Sequence, residues 1–196
     1  LFIDADEVVS AELGTEIRQQ IFDAAVIPTI EPGSTGTEKW IPGQARKDNK
    51  ATGFYIKRKD YFGGKWLKYG ETANVKLLRF GRRGAGKWDG RVHEVWKVEG
   101  KSAELKNPIL HYPHPTVSEF LRDVNWYTDI VVQCWKEEGR KMGFWEILIY
   151  PKMKFIQNYL LRLGFLDGVQ GLIMAIFMSF HSFLARSKYW LKFARI

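Results

Sequence analysis

The spacing of apolar residues changes partway along this chain and divides it into two parts. Short apolar runs bounded by glycine, proline or charged residues fill residues 1–115, whereas helical spacing dominates residues 116–196. Short runs predict strands, and apolar residues at intervals of three and four predict amphipathic helices. The pattern therefore predicts an α/β unit followed by a helical extension.

The α/β unit opens with an apolar run, Leu1-Phe2-Ile3, that leads into Asp4 and Asp6. This pattern predicts a buried strand with the two acids at its carboxyl end, where open α/β sheets bind ligands. Because burying unpaired charge is costly, the two carboxylates favour a bound divalent cation, and oxygen ligands suit Mg²⁺ or Mn²⁺. A solvated acidic turn is the alternative. A core strand at the first residue also leads us to expect a missing N-terminal segment.

A helix is predicted directly after the acids. Ser10 is a suitable N-cap, and Glu12 favours the first turn. The apolar stripe of this helix is formed by Leu13, Ile17, Ile21 and Ala24. Pro28 ends the helix, and the proline- and glycine-rich residues 30–50 predict a surface loop, with a substrate lid as the alternative.

Further strands are predicted at residues 53–58, 75–80 and 104–110, each a short run bounded by turn residues. Gly63-Gly64 has the chemistry of a tight hairpin turn. The basic, glycine-rich residues 81–87 lack the spacing and the terminal Lys-Ser/Thr of a nucleotide P-loop, so we do not assign them that function.

The helical extension begins with a long helix predicted over residues 116–138. Thr116 and Glu119 form a capping box, which marks the first turn. The apolar residues that follow at helical spacing predict its buried face: Phe120, Val124, Tyr127, Val131 and Trp135. Cys134 lies beside this stripe and is expected to be a buried small apolar residue.

The last part of the chain is strongly apolar. Residues 168–185 contain no Asp, Glu, Lys or Arg, and their length approaches the ~20 residues that span a bilayer. Polar residues such as Gln170 and His181 weaken the prediction of a span, while flanking basic residues and Trp190 resemble an interfacial anchor. We favour helices that lie on a membrane; a hairpin packed on the domain and a true span are the alternatives.

Composition narrows the range of partners. The formal charge is +8, and aromatic residues make up 15% of the chain, which is compatible with nucleic acid, anionic lipid or a phosphorylated substrate. A single cysteine, Cys134, excludes an internal disulfide and a cysteine-built zinc site.

A set of short motifs follows in a fixed order along the chain. They are Phe2-Ile3-Asp4-Ala5-Asp6-Glu7, residues 55–64, Leu78-Arg79-Phe80, Val92-His93-Glu94, His111-Tyr112 and Gly164-Phe165-Leu166-Asp167-Gly168. This ordered set resembles family 2 glycosyltransferases of the GT-A fold, and within them the bacterial branch that adds a β-linked glucose to the lipopolysaccharide core. Two segments depart from that pattern and leave the acceptor open: residues 71–74, which lack the Gly-Trp-x-Pro expected there, and residues 32–49.

The resemblance implies a Rossmann-like GT-A fold with a mixed sheet. Residues 1–115 would form the acceptor-side part of the glycosyltransferase domain, with the N-terminal nucleotide-binding half missing, and residues 116–196 a membrane-associated extension. The implied activity is an inverting transfer from a nucleotide sugar, a UDP-sugar, to a lipid-linked saccharide. The implied location is peripheral, on the cytoplasmic face of the bacterial inner membrane, and no nucleic-acid partner is expected.

The resemblance also suggests residue roles on the donor side. Asp6 would hold Mg²⁺ or Mn²⁺, with Asp4 sharing the metal or facing the ribose, and the metal would stabilise the departing diphosphate. His93 would be a further metal ligand or would orient Glu94, with an ordinary structural histidine as the alternative. Arg79 would contact the diphosphate or the acceptor, and a salt bridge within the sheet is the alternative.

On the acceptor side, an inverting transfer requires a base for the acceptor hydroxyl. Glu94 matches the His-Glu position of the family and is the first choice, and Asp89 is the second; surface acids are the alternative. His111 would help to close the site or would be a polar strand end. Arg91 belongs to a basic patch with Arg82, Arg83 and Lys87 that would attract a phosphorylated glycolipid, or that is a plain solvated loop.

Two other functions compete with sugar transfer. A phosphatase of the haloacid dehalogenase type also carries Asp-x-Asp after an apolar strand, with Asp4 as nucleophile and Asp6 as acid/base. The chain lacks the downstream Gly-Asp-x-x-x-Asp motif of those enzymes. A basic module that binds membranes or nucleic acid is the second competitor, although no nucleic-acid-binding motif occurs.

Overall fold

The computed structural model describes residues 1–24, 51–89, 95–113 and 116–193, and these ranges form a mixed α/β structure. The strands are β1 (Glu7–Val9), β2 (Gly53–Phe62), β3 (Lys65–Trp66), β4 (Lys76–Gly81), β5 (Gly86–Asp89), β6 (Val95–Val98), β7 (Ser102–Glu104) and β8 (Ile109–His111). The helices are α1 (Ala11–Ala24), α2 (Val117–Glu137), α3 (Phe144–Ile156) and α4 (Val169–Phe193). A π-helical turn (Gln157–Leu161) and a 3-10 turn (Gly164–Asp167) connect α3 to α4.

Strand β2 is the centre of a six-stranded mixed sheet. It pairs in parallel with β7 and β8, and antiparallel with β3 and β4. Strand β1 lies beyond β8 and runs antiparallel to it. The register places Glu7 opposite His111, and His111 opposite Asp60. Three polar side chains therefore lie in one row across β1, β8 and β2.

One face of this sheet is covered by α1. The core consists of Leu13, Ile17, Ile56, Phe80, Leu105 and Ile109, all buried. Ser10 caps the helix as predicted, since its Oγ accepts a hydrogen bond from the Leu13 N–H at 3.2 Å. The predicted stripe is wrong at Ile21, which is 53% exposed, because only the first two turns of α1 contribute to the core.

The predicted strand at residues 1–3 is wrong. Leu1, Phe2 and Ile3 are 46%, 37% and 46% exposed, and the first strand, β1, follows the acids rather than preceding them. The reason is a tight turn, in which the Glu7 N–H donates to the Asp4 carbonyl at 3.1 Å. The two acids therefore lie at the amino end of a strand.

The predicted strand over residues 104–110 is also wrong, since the chain forms β7 and β8 with a break between them. Pro108 lacks an N–H for a continuous ladder. The two N–H groups before it, those of Lys106 and Asn107, donate to the Glu16 carboxylate of α1 at 2.7 and 2.9 Å. Glu16 thus replaces the sheet as their partner.

The other local predictions in the sheet are confirmed. Strands at residues 53–58 and 75–80 correspond to β2, which is longer, and to β4, which begins one residue later. Gly63 and Gly64 have φ values of +55° and +87° and connect β2 to β3. Positive φ at both central residues is typical of a type I′ hairpin turn.

The helix predicted over residues 116–138 is confirmed, together with its capping box. Its buried face is formed by Phe120, Val124, Thr128 and Val132, so the prediction holds for the first two positions and is shifted by one residue afterwards. Tyr127 is exposed, and Cys134 is half-buried rather than buried. Thr128 can be buried because its hydroxyl donates to the Val124 carbonyl at 2.8 Å.

The helices of the extension form a packed group against the sheet. Helices α3 and α4 form a hairpin, and α2 packs on α4. By length and composition alone, α4 is the one helix in the described ranges that would suffice to cross a membrane, which is weak evidence for a span. Asp167, in the turn before α4, accepts hydrogen bonds from the Lys68 and Tyr69 N–H groups after β3, and this joins the helices to the sheet.

Candidate active site

The two predicted donor-side acids lie in the turn before β1, which we call the acidic turn (residues 4–7). Arg79 of β4 forms a two-pronged ion pair with Asp4, through Nη1 and Nη2. Its Nη2 also lies 3.4 Å from Oε1 of the buried Glu7. Glu7 Oε2 in turn accepts the Asp4 N–H at 3.1 Å. Arg79 and Glu7 therefore hold Asp4 in position. The salt bridge that was the alternative to a ligand-binding role for Arg79 is present in the structure.

Asp6 is held by a second chain of polar side chains. Its Oδ2 lies 3.1 Å from Nε2 of His111, whose Nδ1 lies 2.9 Å from Oδ1 of Asp60. Asp60 accepts two hydrogen bonds from Arg58, at 2.8 and 3.1 Å. The Asp60 side chain is 2% exposed. A carboxylate on one ring nitrogen of a histidine fixes the orientation of the ring, so Asp60 directs the other nitrogen of His111 at Asp6.

The strand register explains why these side chains meet. Arg58 and Asp60 are two residues apart on β2, so they project from the same face. His111 is the Cα partner of Asp60 on the neighbouring strand. The Tyr112 N–H donates to the Asp6 carbonyl at 2.9 Å, which fixes the turn above β8. The sheet therefore supports Asp6 through both its main chain and its side chain.

The acidic turn presents carboxylates to solvent while its supporting residues are buried. The side chains of Asp4 and Asp6 are 57% and 48% exposed. No group of three or more histidine, cysteine or acidic side chains that would hold a metal ion occurs within the described ranges. Mg²⁺ is commonly bound by one or two carboxylates together with substrate phosphates and water. An exposed, oriented Asp6 fits that manner of binding.

The structure describes only some of the residues that were predicted for the acceptor side. Glu94, His93 and Arg91 lie outside the described residues, as do residues 32–49. Asp89 is exposed at the end of β5 and forms an ion pair with Lys97 of β6. The hairpin of β5 and β6 contacts the segment before the acidic turn, because Trp88 and Trp96 pack edge-to-face on the ring of Phe2, with centroid distances of 4.9 and 5.1 Å.

The remaining site predictions can be placed in the same way. The structure brings Asp4 to Arg79 and Asp6 to His111, whereas Asp89 belongs to the separate hairpin. Arg82, Arg83 and Lys87 are exposed around the turn between β4 and β5. His111 is buried at the end of β8. His111 therefore lies at a polar strand end, as the alternative interpretation had it. A role for His111 in closing the site stays a prediction.

Sequence reasoning missed Asp60, Arg58 and Glu7. The signal for the first two was the run Lys57-Arg58-Lys59-Asp60 inside an otherwise apolar strand. Opposite charges two residues apart in a strand lie on one face. Their partner His111 lies 51 residues away from Asp60 in the sequence, and only the register of β2 and β8 reveals that contact.

Comparison with known proteins finds a relative among enzymes of envelope synthesis. The chain is 23% identical over 157 residues to the lipopolysaccharide core biosynthesis glycosyltransferase LpsC of Rhizobium meliloti (strain 1021). The match covers 79% of this chain and 58% of the relative, so the chain spans little more than half of the relative's length. No family model and no solved structure matches the chain. The similarity supports a glycosyltransferase function in general.

Proposed function

We propose that this chain is part of an inverting glycosyltransferase that transfers a glucose-like sugar from a nucleotide donor to a lipopolysaccharide-core or other envelope glycan. The observation that carries the proposal is the similarity to a lipopolysaccharide core glycosyltransferase over 79% of the chain. The acidic turn supports it, because two exposed, oriented carboxylates suit a metal-bound diphosphate. Assignment to family 2 and to the GT-A fold is part of this proposal.

On the donor side, Asp6 would bind Mg²⁺ or Mn²⁺ and Asp4 would share the ion or face the ribose. When bound, the metal supplies positive charge against the diphosphate that leaves the sugar. His111 and Asp60 hold Asp6 in place, and Arg79 holds Asp4. Because these supports are already formed, the site does not have to reorganise when charge develops on the leaving group.

On the acceptor side, Glu94 would take the proton of the attacking hydroxyl, with Asp89 as the second candidate. His93 would orient Glu94 or complete the metal site, and Arg91 and His111 would line the acceptor side. The donor would be a UDP-sugar and the acceptor a lipid-linked saccharide. The reaction would occur at the cytoplasmic face of the inner membrane.

The proposal is tested in the full protein with Asp6→Ala and Glu94→Gln, and with Glu99→Gln as a matched control on an exposed acid directly after β6. We expect Asp6→Ala and Glu94→Gln each to lower sugar transfer about 10²-fold or more, since each would remove a group acting on the reacting atoms. Glu99→Gln should retain the wild-type rate. Normal transfer by both test variants with metal present would refute the mechanism.

The phosphatase hypothesis is separated from sugar transfer by a test for a phosphorylated Asp4. It requires Asp4 as a nucleophile that becomes phosphorylated, whereas Asp4 is engaged by both terminal nitrogens of Arg79. Incubation with a phosphoryl donor and mass spectrometry of the acid-quenched protein detects a phosphoaspartate. We expect none on Asp4, and its appearance would favour the phosphatase over the transferase.

A further inference from the structure

Helix α3 and the turns after it expose more large apolar side chains than any other described part of the extension. The exposed residues in this stretch are Phe144, Trp145, Leu148, Ile149, Tyr150, Met153, Ile156, Leu160, Leu161, Leu163, Phe165 and Leu166. The much longer α4 exposes only Val169, Ile176, Phe180, Phe183 and Leu191 among such side chains. The exposed apolar surface therefore belongs mainly to the outer helix of the hairpin.

The packing of α3 on α4 explains which side is exposed. Pro151 and Asn158 are buried, and the Pro151 carbonyl accepts a hydrogen bond from the Ser179 hydroxyl of α4 at 2.8 Å. The opposite side carries the exposed residues at intervals of three and four, which places them on one helical face. This face is formed by Trp145, Ile149, Met153, Ile156 and Leu160, and we call it the α3 face.

The charge around the α3 face is positive. Residues 147–166 contain no Asp or Glu. The exposed Lys152 lies next to the α3 face in the helix, while Lys154 and Arg162 of the same stretch lie 2.7 and 4.0 Å from Glu71. Of the two acids that flank this stretch, Glu146 interacts with Arg140 and with the Gly143 N–H, and Asp167 is buried. Apolar and aromatic side chains bordered by cations are typical of helices that lie in the interface of an anionic membrane.

Helix α4 has a different environment. Its Arg186 is buried, with the guanidinium 4.0 Å from the ring centroid of Tyr150 and 5.4 Å from that of Trp135. Lys188, one turn from the end, pairs with Asp129 of α2 at 2.9 Å. These contacts use the charged end of α4 to hold α2 and α3 together, and a spanning helix would have to break them.

We infer that the α3 face binds the surface of an anionic phospholipid bilayer, with α3 parallel to the membrane plane and α4 packed behind it. The inference narrows the sequence-based expectation of a membrane-associated extension over residues 116–196 to one face of α3, rather than to the apolar residues 168–185 that were considered for a span. The membrane location is also part of the proposed function, but vesicle binding is measured without sugar transfer, so failure of one can be told from failure of the other.

The test measures binding of the full protein to vesicles of phosphatidylcholine with and without phosphatidylglycerol. The variant Ile149→Lys/Met153→Lys places two charges in the α3 face, and Ile176→Lys/Phe180→Lys is the matched control on exposed positions of α4. Because the first variant replaces apolar contact area with charge, we expect it to weaken binding to anionic vesicles about tenfold or more. The control should stay within about twofold of wild type, since its side chains lie outside the binding face.

Circular dichroism confirms that both variants are folded before their binding is compared. Binding that survives in the α3 variant and is lost in the α4 variant would overturn the inference in favour of insertion through α4. Equal binding by all three proteins would overturn it as well. So would light scattering that shows a dimer in wild type but a monomer in the α3 variant, since the face would then be covered by a second copy.

Discussion

Two groups of acidic side chains in this molecule have similar composition but opposite environments. The acidic turn carries Asp4 and Asp6, each about half exposed. The joint between sheet and helices, formed by Glu71 and Asp167, carries a carboxylate that is almost completely buried, with the Asp167 side chain 3% exposed. In the turn, the sheet supports the carboxylates from behind and leaves them facing solvent. In the joint, the protein surrounds Asp167, whereas Glu71, whose side chain is 31% exposed, is paired with Lys154.

The partners in the joint account for a structural role. Asp167 accepts the N–H groups of Lys68 at 3.0 Å and Tyr69 at 2.9 Å, while Glu71 accepts from Lys154 at 2.7 Å and Asn158 at 3.3 Å. Gly171 allows the close approach of the turn, because a Cβ there would lie 1.9 Å from the Gly164 carbonyl oxygen. The Gly-Phe-Leu-Asp-Gly motif thus contributes to a joint, whereas the acids of the turn keep about half of their side-chain surface open to solvent.

The largest expected effect separates the two regions by stability. Asp167→Ala removes two partly buried hydrogen bonds from the Lys68 and Tyr69 N–H groups to a charged carboxylate, and each such bond contributes about 1.5–3 kcal/mol. We expect the free energy of unfolding in urea to fall by about 3 kcal/mol. Asp6→Ala should change it by less than about 1 kcal/mol, because its side chain is half exposed. Equal losses in the two variants would contradict the distinction between joint and turn.

The next effect sharpens the account of the acidic turn. Asp60→Asn should disturb the ring orientation of His111 and lower transfer about 10- to 100-fold, the usual cost of losing a residue that orients a ligand. The measurement is nitrogen NMR of the His111 ring, which reports the state of each ring nitrogen, together with the transfer rate.

Arg58→Gln is the control for this change. It removes the ion pair behind Asp60 but keeps the Asp60 carboxylate on His111. We expect it to lower stability while the His111 signals stay close to those of wild type. If Asp60→Asn leaves the ring signals unchanged, Asp60 contributes only to packing.

The smallest effect concerns the pH dependence of the joint. Burial raises the pKa of Glu71, but the hydrogen bond and charge of Lys154, with Asn158 and Arg162, more than offset it, so the pKa lies below its ordinary value of 4.5. A lowered folded-state pKa gives stability above about pH 4.5 that is lost as the pH falls through the folded-state value. We expect Glu71→Gln to cost about 1 kcal/mol at pH 7 and progressively less as the pH falls below 4.5. A constant difference between the proteins from pH 7 to pH 3 would contradict this.

The residues that sequence reasoning placed correctly are those whose signals are local. Ser10, the Gly63-Gly64 turn and the Thr116 capping box act within three residues, so their chemistry is visible in a single stretch. The break between β7 and β8 depends on Glu16, which lies 90 residues before Lys106. Pro108 is a local signal for the break, but no local pattern contains Glu16, and the apolar pattern by itself predicts a continuous strand.

The candidate site shows the same contrast between local signals, which the sequence contains, and distant contacts, which it does not reveal. The Asp-x-Asp spacing drew attention to the acidic turn, but the apolar run before it was interpreted as a buried strand. In the structure the strand follows the acids instead of preceding them, because β1 begins after Asp6 and pairs with β8. The chain from Asp6 through His111 to Asp60 required the register of three strands, which neither periodicity nor charge pattern supplies.

The most direct test of the central claim is the affinity of the full protein for UDP by calorimetry, with and without Mn²⁺, in wild type and in Asp6→Ala. If the acidic turn holds a metal-bound diphosphate, Mn²⁺ should tighten UDP binding about tenfold or more in wild type, since the metal joins the carboxylate to the phosphates. Asp6→Ala should abolish this gain while remaining folded. A UDP affinity that is the same with and without Mn²⁺, or a gain that persists in Asp6→Ala, would contradict the account.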